Sequence, residues 1–195
     1  MRSEPSPRQP SERRPTAADL AAAAAAGRTV PDVIAPGLRV LFCGINPSLY
    51  TAAAGHHFAR PGNRFWPSLW KAGFTDRLLR PSEERELLRF GCGITNLVAR
   101  PTASAAELTR DELRRGAKVL ERKTVRFAPH IAAILGVDAY RKAFERARAE
   151  VGLQEEKLGG SRLWVLPNPS GLNAHYQIDG LVAAYRALRE DADKL

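Results

Sequence analysis

Three short apolar runs constrain this chain more than anything else in it: Leu38 to Cys43, Ile131 to Leu135 and Leu163 to Leu166. Each is rich in branched side chains, bounded by turn residues and free of polar alternation, the pattern of a strand covered on both faces. Between them the apolar spacing is helical. Phe65, Trp66, Leu69 and Trp70 share one helix face, and Ile178, Leu181, Val182, Tyr185 and Leu188 share another. Glu107 to Arg126 reads as a basic helix or helix pair, and Asp138 to Arg148 as a helix following the second strand. Strands alternating with helices predict a three-layer α/β/α fold around a mostly parallel central sheet. With 195 residues, 44% of them hydrophobic, there is chain for one domain with a sizeable core.

That domain is expected over residues 29–195. Residues 1–28 carry Pro5, Pro7, Pro10 and Pro15 among serines and arginines and end in the alanine run Ala21 to Ala26. So few large apolar groups predict a mobile, disordered arm, in which Thr16 and Asp19 can cap a short alanine helix.

Charge narrows the partner. Thirty Lys and Arg stand against 21 Asp and Glu, a formal net charge of +9, which favours a polyanion such as nucleic acid. No run of about 20 apolar residues exists and the chain does not start like a signal peptide, so the expectation is a soluble, cytoplasmic, nucleoid-associated protein without a membrane partner. Cys43 and Cys92 are too few for a disulfide framework or an iron–sulfur cluster, and His56, His57, His130 and His175 lack metal-ligand spacing. The expectation is no metal and no cofactor, with the cysteines buried and the histidines in loops or at the surface. A Cys43–His175 nucleophilic pair is the less favoured alternative.

In parallel α/β sheets, ligands sit beyond the C-terminal ends of the strands. Two loops at such ends share a vocabulary: Gly44-Ile45-Asn46-Pro47-Ser48 and Pro167-Asn168-Pro169-Ser170-Gly171-Leu172-Asn173 both put Asn-Pro-Ser just after an apolar run. One Asn-Pro-Ser is a common turn. Two of them on strands that run parallel open at the same edge of the sheet and point to a site.

These loops belong to a wider set of ordered motifs: Ala35-Pro36-Gly37-Leu38, Gly44-Ile45-Asn46-Pro47, Phe58-Ala59-Arg60-Pro61-Gly62-Asn63-Arg64-Phe65-Trp66, Leu97-Val98 with Arg100-Pro101-Thr102, and Asn168-Pro169-Ser170-Gly171-Leu172. The set resembles the mismatch-specific uracil-DNA glycosylases, the bacterial relatives of thymine-DNA glycosylase within the uracil-DNA glycosylase superfamily, over roughly residues 31 to 190. The resemblance implies a monofunctional enzyme that flips uracil or thymine out of G·U and G·T mispairs in double-stranded DNA. It would then hydrolyse the N-glycosidic bond and leave an abasic site for base excision repair.

The resemblance also implies roles. Asn46 would hold the attacking water, or else merely form the turn before Pro47. Backbone N–H groups around Ile45 and Asn46, together with Asn168, would stabilise the departing pyrimidine anion. Phe58 would be the floor on which the flipped base stacks or else an ordinary core side chain, and Thr51 would bond the base's edge or be a mere loop hydroxyl. Leu172 would be an intercalating wedge, with Ser170, Gly171, Asn173 and Ala174 around it, or else an ordinary buried side chain. Arg60, Arg64 and Arg100 would bind phosphates or brace loops. The basic stretch Arg110, Arg114, Arg115, Lys118, Arg122, Lys123 and Arg126 reads as a solvated helix face.

The chain departs from the family pattern in two places. Asn173-Ala174-His175 replaces Ser-Arg after the wedge leucine, and Ala99 stands between Val98 and Arg100 where the bacterial pattern carries an aspartate. Without that carboxylate, catalysis would rest on Asn46. The competing expectation is a protein that binds mispairs or lesions without cleaving. A nucleotide-binding α/β protein ranks far behind, because no Gly-Lys-Ser/Thr phosphate loop is present. A lyase would need an amine nucleophile, and neither Asn-Pro motif contains a lysine. A monomer suits an enzyme that grips one lesion.

Overall fold

The computed structural model describes residues 13–171 and 176–195. Five strands, β1 Val40–Gly44, β2 Cys92–Asn96, β3 Ile131–Leu135, β4 Gly152–Leu158 and β5 Ser161–Leu166, form one sheet in the order β2-β1-β3-β5-β4. The first four neighbours in that order are parallel, and β4 adds to the edge antiparallel to β5. All residues of β1 and β3 are buried, as strands covered on both faces must be.

Successive side chains of these strands alternate between two cores. Val40, Phe42, Ile131, Ala133 and Leu166 pack with Phe65 and Leu69 of α3 (Phe65–Lys71) and with Leu181, Tyr185 and Leu188 of α6 (Ile178–Ala192). Leu41, Cys43, Ala132, Ile134, Leu163 and Val165 pack on the other face with Leu113 and Leu120 of α4 (Arg110–Phe127) and Tyr140 of α5 (Val137–Phe144). The expected three-layer, mostly parallel α/β/α architecture is therefore the observed one.

Two strands escape the sequence patterns. β2 is Cys-Gly-Ile-Thr-Asn, and its Gly93 is fixed by tertiary contact: a Cβ there would stand 2.5 Å from the carbonyl oxygen of Val33. β4 alternates half-buried and exposed residues, as an edge strand does. Within the stretch expected as an arm, the short alanine helix that Thr16 and Asp19 can cap is present among the described residues. Ala17–Ala25 forms helix α1, started by a Thr16–Asp19 capping box and packed against α2 (Leu49–Ala54), with Ala23 fully buried. Small side chains let the two helices approach closely, and that contact orders an alanine run too poor in apolar area to order itself.

Among the described residues no helix is long and apolar enough to cross a membrane. α4 begins at a Thr109–Glu112 capping box and turns most of its charges outward, with one exception. Lys123, expected on the solvated face, points inward: its Nζ lies 2.6 Å from Asp32 Oδ2 and donates to Thr95 Oγ1 at 2.7 Å. Thr95 in turn donates to Asp32 Oδ1 at 2.8 Å, which ties α4 and the segment before β1 to the last turn of β2.

Candidate active site

The C-terminal ends of β1, β2, β3 and β5 open into one cleft of about 630 Å³. Its wall contains Ile45, Asn46, Thr51, Phe58, Arg60, Asn168 and Ser170, so the two Asn-Pro-Ser loops and the Phe58 segment do converge. Ala99, Arg64, Arg100 and Gly171 lie outside that wall. Leu172, Asn173, Ala174 and His175, the segment expected to carry the wedge, lie outside the described residues.

Asn46 is held by its own donors. Nδ2 donates to the carbonyl of Arg100 at 2.9 Å and to Thr102 Oγ1 at 2.7 Å. The same two segments are laced by backbone bonds, from Thr102 N–H to the Pro47 carbonyl at 3.2 Å and from Leu49 N–H to the Thr102 carbonyl at 3.1 Å. With both amide hydrogens committed, Asn46 meets anything in the cleft through Oδ1, an acceptor.

Phe58 stacks on Phe65, ring centroids 4.0 Å apart, and its backbone sits at φ 54°, a left-handed conformation uncommon for an aromatic residue. Such strain persists only where the surroundings over-determine it, and it clusters at functional sites. Gly44 makes the room: a Cβ there would stand 2.4 Å from Asn96 Oδ1 and 3.3 Å from Phe58 Cζ.

Thr51 is buried, and its Oγ1 accepts from Ser48 Oγ at 3.1 Å. Asn168 accepts the Ser170 N–H on Oδ1 at 3.0 Å, so its donor end is Nδ2. Ser48 caps the short α2 through the Thr51 N–H and keeps Thr51 on the cleft side.

The three arginines differ in what holds them. Arg60 is exposed on the cleft rim. Arg64 braces loops: its guanidinium donates to the carbonyls of Ser170 and Tyr176, and its backbone N–H donates to Pro169. Gly171 then passes so near Gly62 that a Cβ would lie 2.6 Å from the Gly62 carbonyl oxygen. Arg100 donates to Glu112 Oε1 at 2.8 Å, and that ion pair holds the Glu112 carboxyl down at about 2.

Two cleft residues were missed by sequence reasoning. Asn96 ends β2 and lines the cleft, yet only its successors Leu97 and Val98 were singled out. His57, expected in a loop or at the surface, is 1% exposed and also lines the cleft. Its Nε2–H donates to the Pro31 carbonyl at 3.0 Å and its Nδ1 faces Asn96 Nδ2 at 3.4 Å. Burial keeps its pKa below the ordinary histidine range, although Glu84, the Pro31 carbonyl and Asp32 all favour the charged form. The signal that could have flagged Asn96 is its place at the end of a parallel strand, had β2 been recognised.

The cleft wall is sparse in charge. Among its described residues Asp138 is the one carboxylate, exposed and 3.6 Å from Arg141, and there is no lysine. Cys43 and Cys92 are buried, and burial pushes both thiols up, which leaves them inert. The arrangement offers amide oxygens and N–H groups around an aromatic floor, suited to a flat, polar-edged, uncharged ring.

The fold is also found in a solution NMR structure from Methanosarcina acetivorans, itself assigned by inference as a uracil DNA glycosylase. The two chains are 17% identical and superpose with a TM-score of 0.53 over 84% of this chain and 98% of the other. Residues 31–189 match the family model of the uracil DNA glycosylase superfamily, and the chain belongs to that superfamily.

Proposed function

We propose that this chain is a monofunctional glycosylase of the mismatch-specific branch, acting as a monomer and without a cofactor on uracil or thymine in G·U and G·T mispairs of double-stranded DNA. The observation that carries the reading is Asn46, anchored by both amide hydrogens beside the aromatic floor of Phe58. Flipping a base costs about a few kcal/mol, and least at a mispair. Stacking on Phe58 offsets about 1–3 kcal/mol of that.

As the glycosidic bond lengthens, the sugar becomes oxocarbenium-like and the pyrimidine gathers negative charge. Amide N–H groups of Asn96 and Asn168 suit the developing charge on the ring oxygens. Asn46 Oδ1 accepts one hydrogen of a water and leaves an oxygen lone pair for the sugar carbon. An amide is a poor base, so departure of the base precedes attack, and the proton that the water loses as its oxygen bonds the sugar carbon passes to the departed pyrimidine anion or to solvent. With no lysine on the described cleft wall, hydrolysis is favoured over an amine-mediated lyase step. Arg60 on the rim and the formal charge of +9 suit the phosphate backbone, with Ser170 and Gly171 leading into the wedge segment 172–175.

A second reading, a mispair-binding protein that does not cleave, is favoured by Ala99, whose methyl is exposed where the family pattern has a carboxylate, and by the absence of a buried carboxylate among the described cleft residues. Single-turnover cleavage of a duplex with one G·U pair, by this chain and by Ala99→Asp, separates the two. Release of uracil by the unaltered chain supports the glycosylase. Release by the variant alone makes this chain a binder, and failure of both to bind or cleave removes the reading.

A further inference from the structure

The outer face of α4 carries Arg115, Lys118, Arg122 and Arg126, all exposed. At about 3.6 residues per turn they form one ridge, opposite the buried Leu113, Ala117, Leu120 and Thr124. Cations three and four positions apart on a helix repel, and carboxylates at the same spacing relieve them. Here that relief is missing. Asp111 and Glu112 stand at the start of α4, 4.0 Å from Arg114 and 2.8 Å from Arg100, and the exposed Glu121 lies beside the ridge without pairing to it. Arg126 rests over the Phe127 ring, 5.1 Å from its centroid, which steadies its stem and leaves its charge unpaired. Among the described residues none of the four ridge cations has a carboxylate partner, whereas their neighbours Arg100, Arg114, Arg141 and Arg146 each have one.

Topology sets the direction of the ridge. α4 leaves the C-terminal end of β2, beside Ser104 and Ala105 of the cleft wall, and returns to the N-terminal end of β3, where the Phe127 carbonyl accepts the Gly37 N–H. It therefore runs antiparallel to the strands, and at about 1.5 Å per residue the ridge descends about 16 Å from Arg115 to Arg126. No residue of α4 lines the cleft. A duplex lying across the strand ends follows the cleft rim and leaves the ridge uncovered.

We propose that the α4 ridge is a second DNA-binding face, which holds the phosphate backbone of a separate, undamaged duplex segment while the cleft holds its own. The proposal rests on the glycosylase reading for the class of polyanion, since such an enzyme works among a large excess of undamaged DNA. Four unpaired cations in a row suit a polyphosphate, whose condensed counterions they release. Guanidinium groups add paired hydrogen bonds to phosphate oxygens. A lipid surface fits less well, because a helix lying on a membrane inserts its apolar face and α4 buries that face in the core. With two faces the chain can pass from one segment to another without first coming free.

The test titrates a short undamaged duplex into the full chain at low salt and reads the duplexes bound per chain by sedimentation. It compares the unaltered chain, a variant with Arg115→Gln, Lys118→Gln, Arg122→Gln and Arg126→Gln together, and one with Arg115→Lys, Arg122→Lys and Arg126→Lys together. Glutamine keeps a long side chain and a helix propensity close to that of lysine and arginine. The unaltered chain and the lysine variant should reach two duplexes per chain, and the glutamine variant one. Affinity for the second duplex should fall with salt at a log–log slope of about −3 to −4, the value for four phosphates. Uracil release from a short G·U duplex should be the same in all three.

Two duplexes on the glutamine variant overturn the proposal. One duplex on the unaltered chain overturns it as well, and if that chain also binds vesicles of anionic lipid through the ridge, the partner is a membrane surface instead. A glutamine variant that loses uracil release along with the second duplex overturns it too, since the ridge then belongs to the DNA track of the cleft. If the unaltered chain holds two duplexes, the glutamine variant one, and neither releases uracil, the glycosylase reading fails and the second face stands. If the unaltered chain binds no duplex, both fail.

Discussion

Asn46 and Thr102 stand 56 positions apart and are joined by a 2.7 Å hydrogen bond from the Asn46 amide to the Thr102 hydroxyl. That bond turns two loops into one rigid wall. The loop after β1 carries the group assigned to the water, and the loop after β2 holds it still. Thr102 is buried, so its hydroxyl works at low dielectric, where an oriented hydrogen bond is strongest and an unmade one most costly.

Thr102→Val keeps the shape of the side chain and deletes the acceptor. The Arg100 carbonyl remains as the second partner of Asn46. Uracil release should slow about ten-fold, because misplacing a catalytic group slightly costs that much or more, while duplex binding stays unchanged. Asn46→Ala should slow release by about 10²-fold or more, again with binding intact. Both are read by single-turnover cleavage beside a gel-shift titration, and a full-rate Thr102→Val would show that Asn46 does not depend on this anchor.

Gly44→Ala tests the cleft floor. Its added methyl would lie 2.4 Å from Asn96 Oδ1 and 3.3 Å from Phe58 Cζ, so at least one of them must move. Overpacking of this kind costs about 1–3 kcal/mol of stability. The larger effect should be functional, with uracil release down about 10²-fold while thermal unfolding shows a folded protein. Normal cleavage by a folded Gly44→Ala protein would mean that neither Asn96 nor Phe58 serves the reaction where it stands.

Phe58 carries two properties that separate by substitution. Removing the ring in Phe58→Ala should weaken binding of a duplex with a flippable base by about 1–3 kcal/mol, the worth of one stacked base. The φ of 54° persists in that variant, so Phe58→Gly, which relieves about 1–2 kcal/mol of left-handed strain, should unfold at a higher temperature than Phe58→Ala. Elsewhere glycine is the less stable of the two. Calorimetry on both variants checks the reversal of order.

The central layers were legible because a strand covered on both faces must be apolar without alternation. β3 coincides with the run Ile131 to Leu135, and β1 and β5 with the other two to within two residues. β2 and β4 were not legible. Gly93 has its reason in the approach of Val33 rather than in local sequence, and β4 is half exposed and polar. That gap propagated to the site, since Asn96 can be placed at the cleft only once β2 is known to end there. His57 was hidden for a different reason: its burial comes from Pro31 and Glu84, 26 and 27 positions away, and a His-His pair between glycine and phenylalanine reads locally as a loop. The sequence around Arg64 fits phosphate binding and loop bracing alike, and its contacts to the Ser170 and Tyr176 carbonyls give it bracing work in this structure.

His57 also sets a direction for stability against pH. Burial lowers its folded pKa from the ordinary value of 6.5, so between the two values the unfolded chain binds a proton that the folded chain does not. Where the unfolded state binds more protons, stability rises with pH. The contribution is therefore fully present above about 6.5 and is lost progressively as pH falls toward the folded pKa. Urea unfolding midpoints of the full chain should drop below pH 6.5, and His57→Gln, which cannot titrate, should show a shallower drop over the same range. Equal slopes for the two proteins would mean that His57 titrates alike in both states and is not held neutral by its burial.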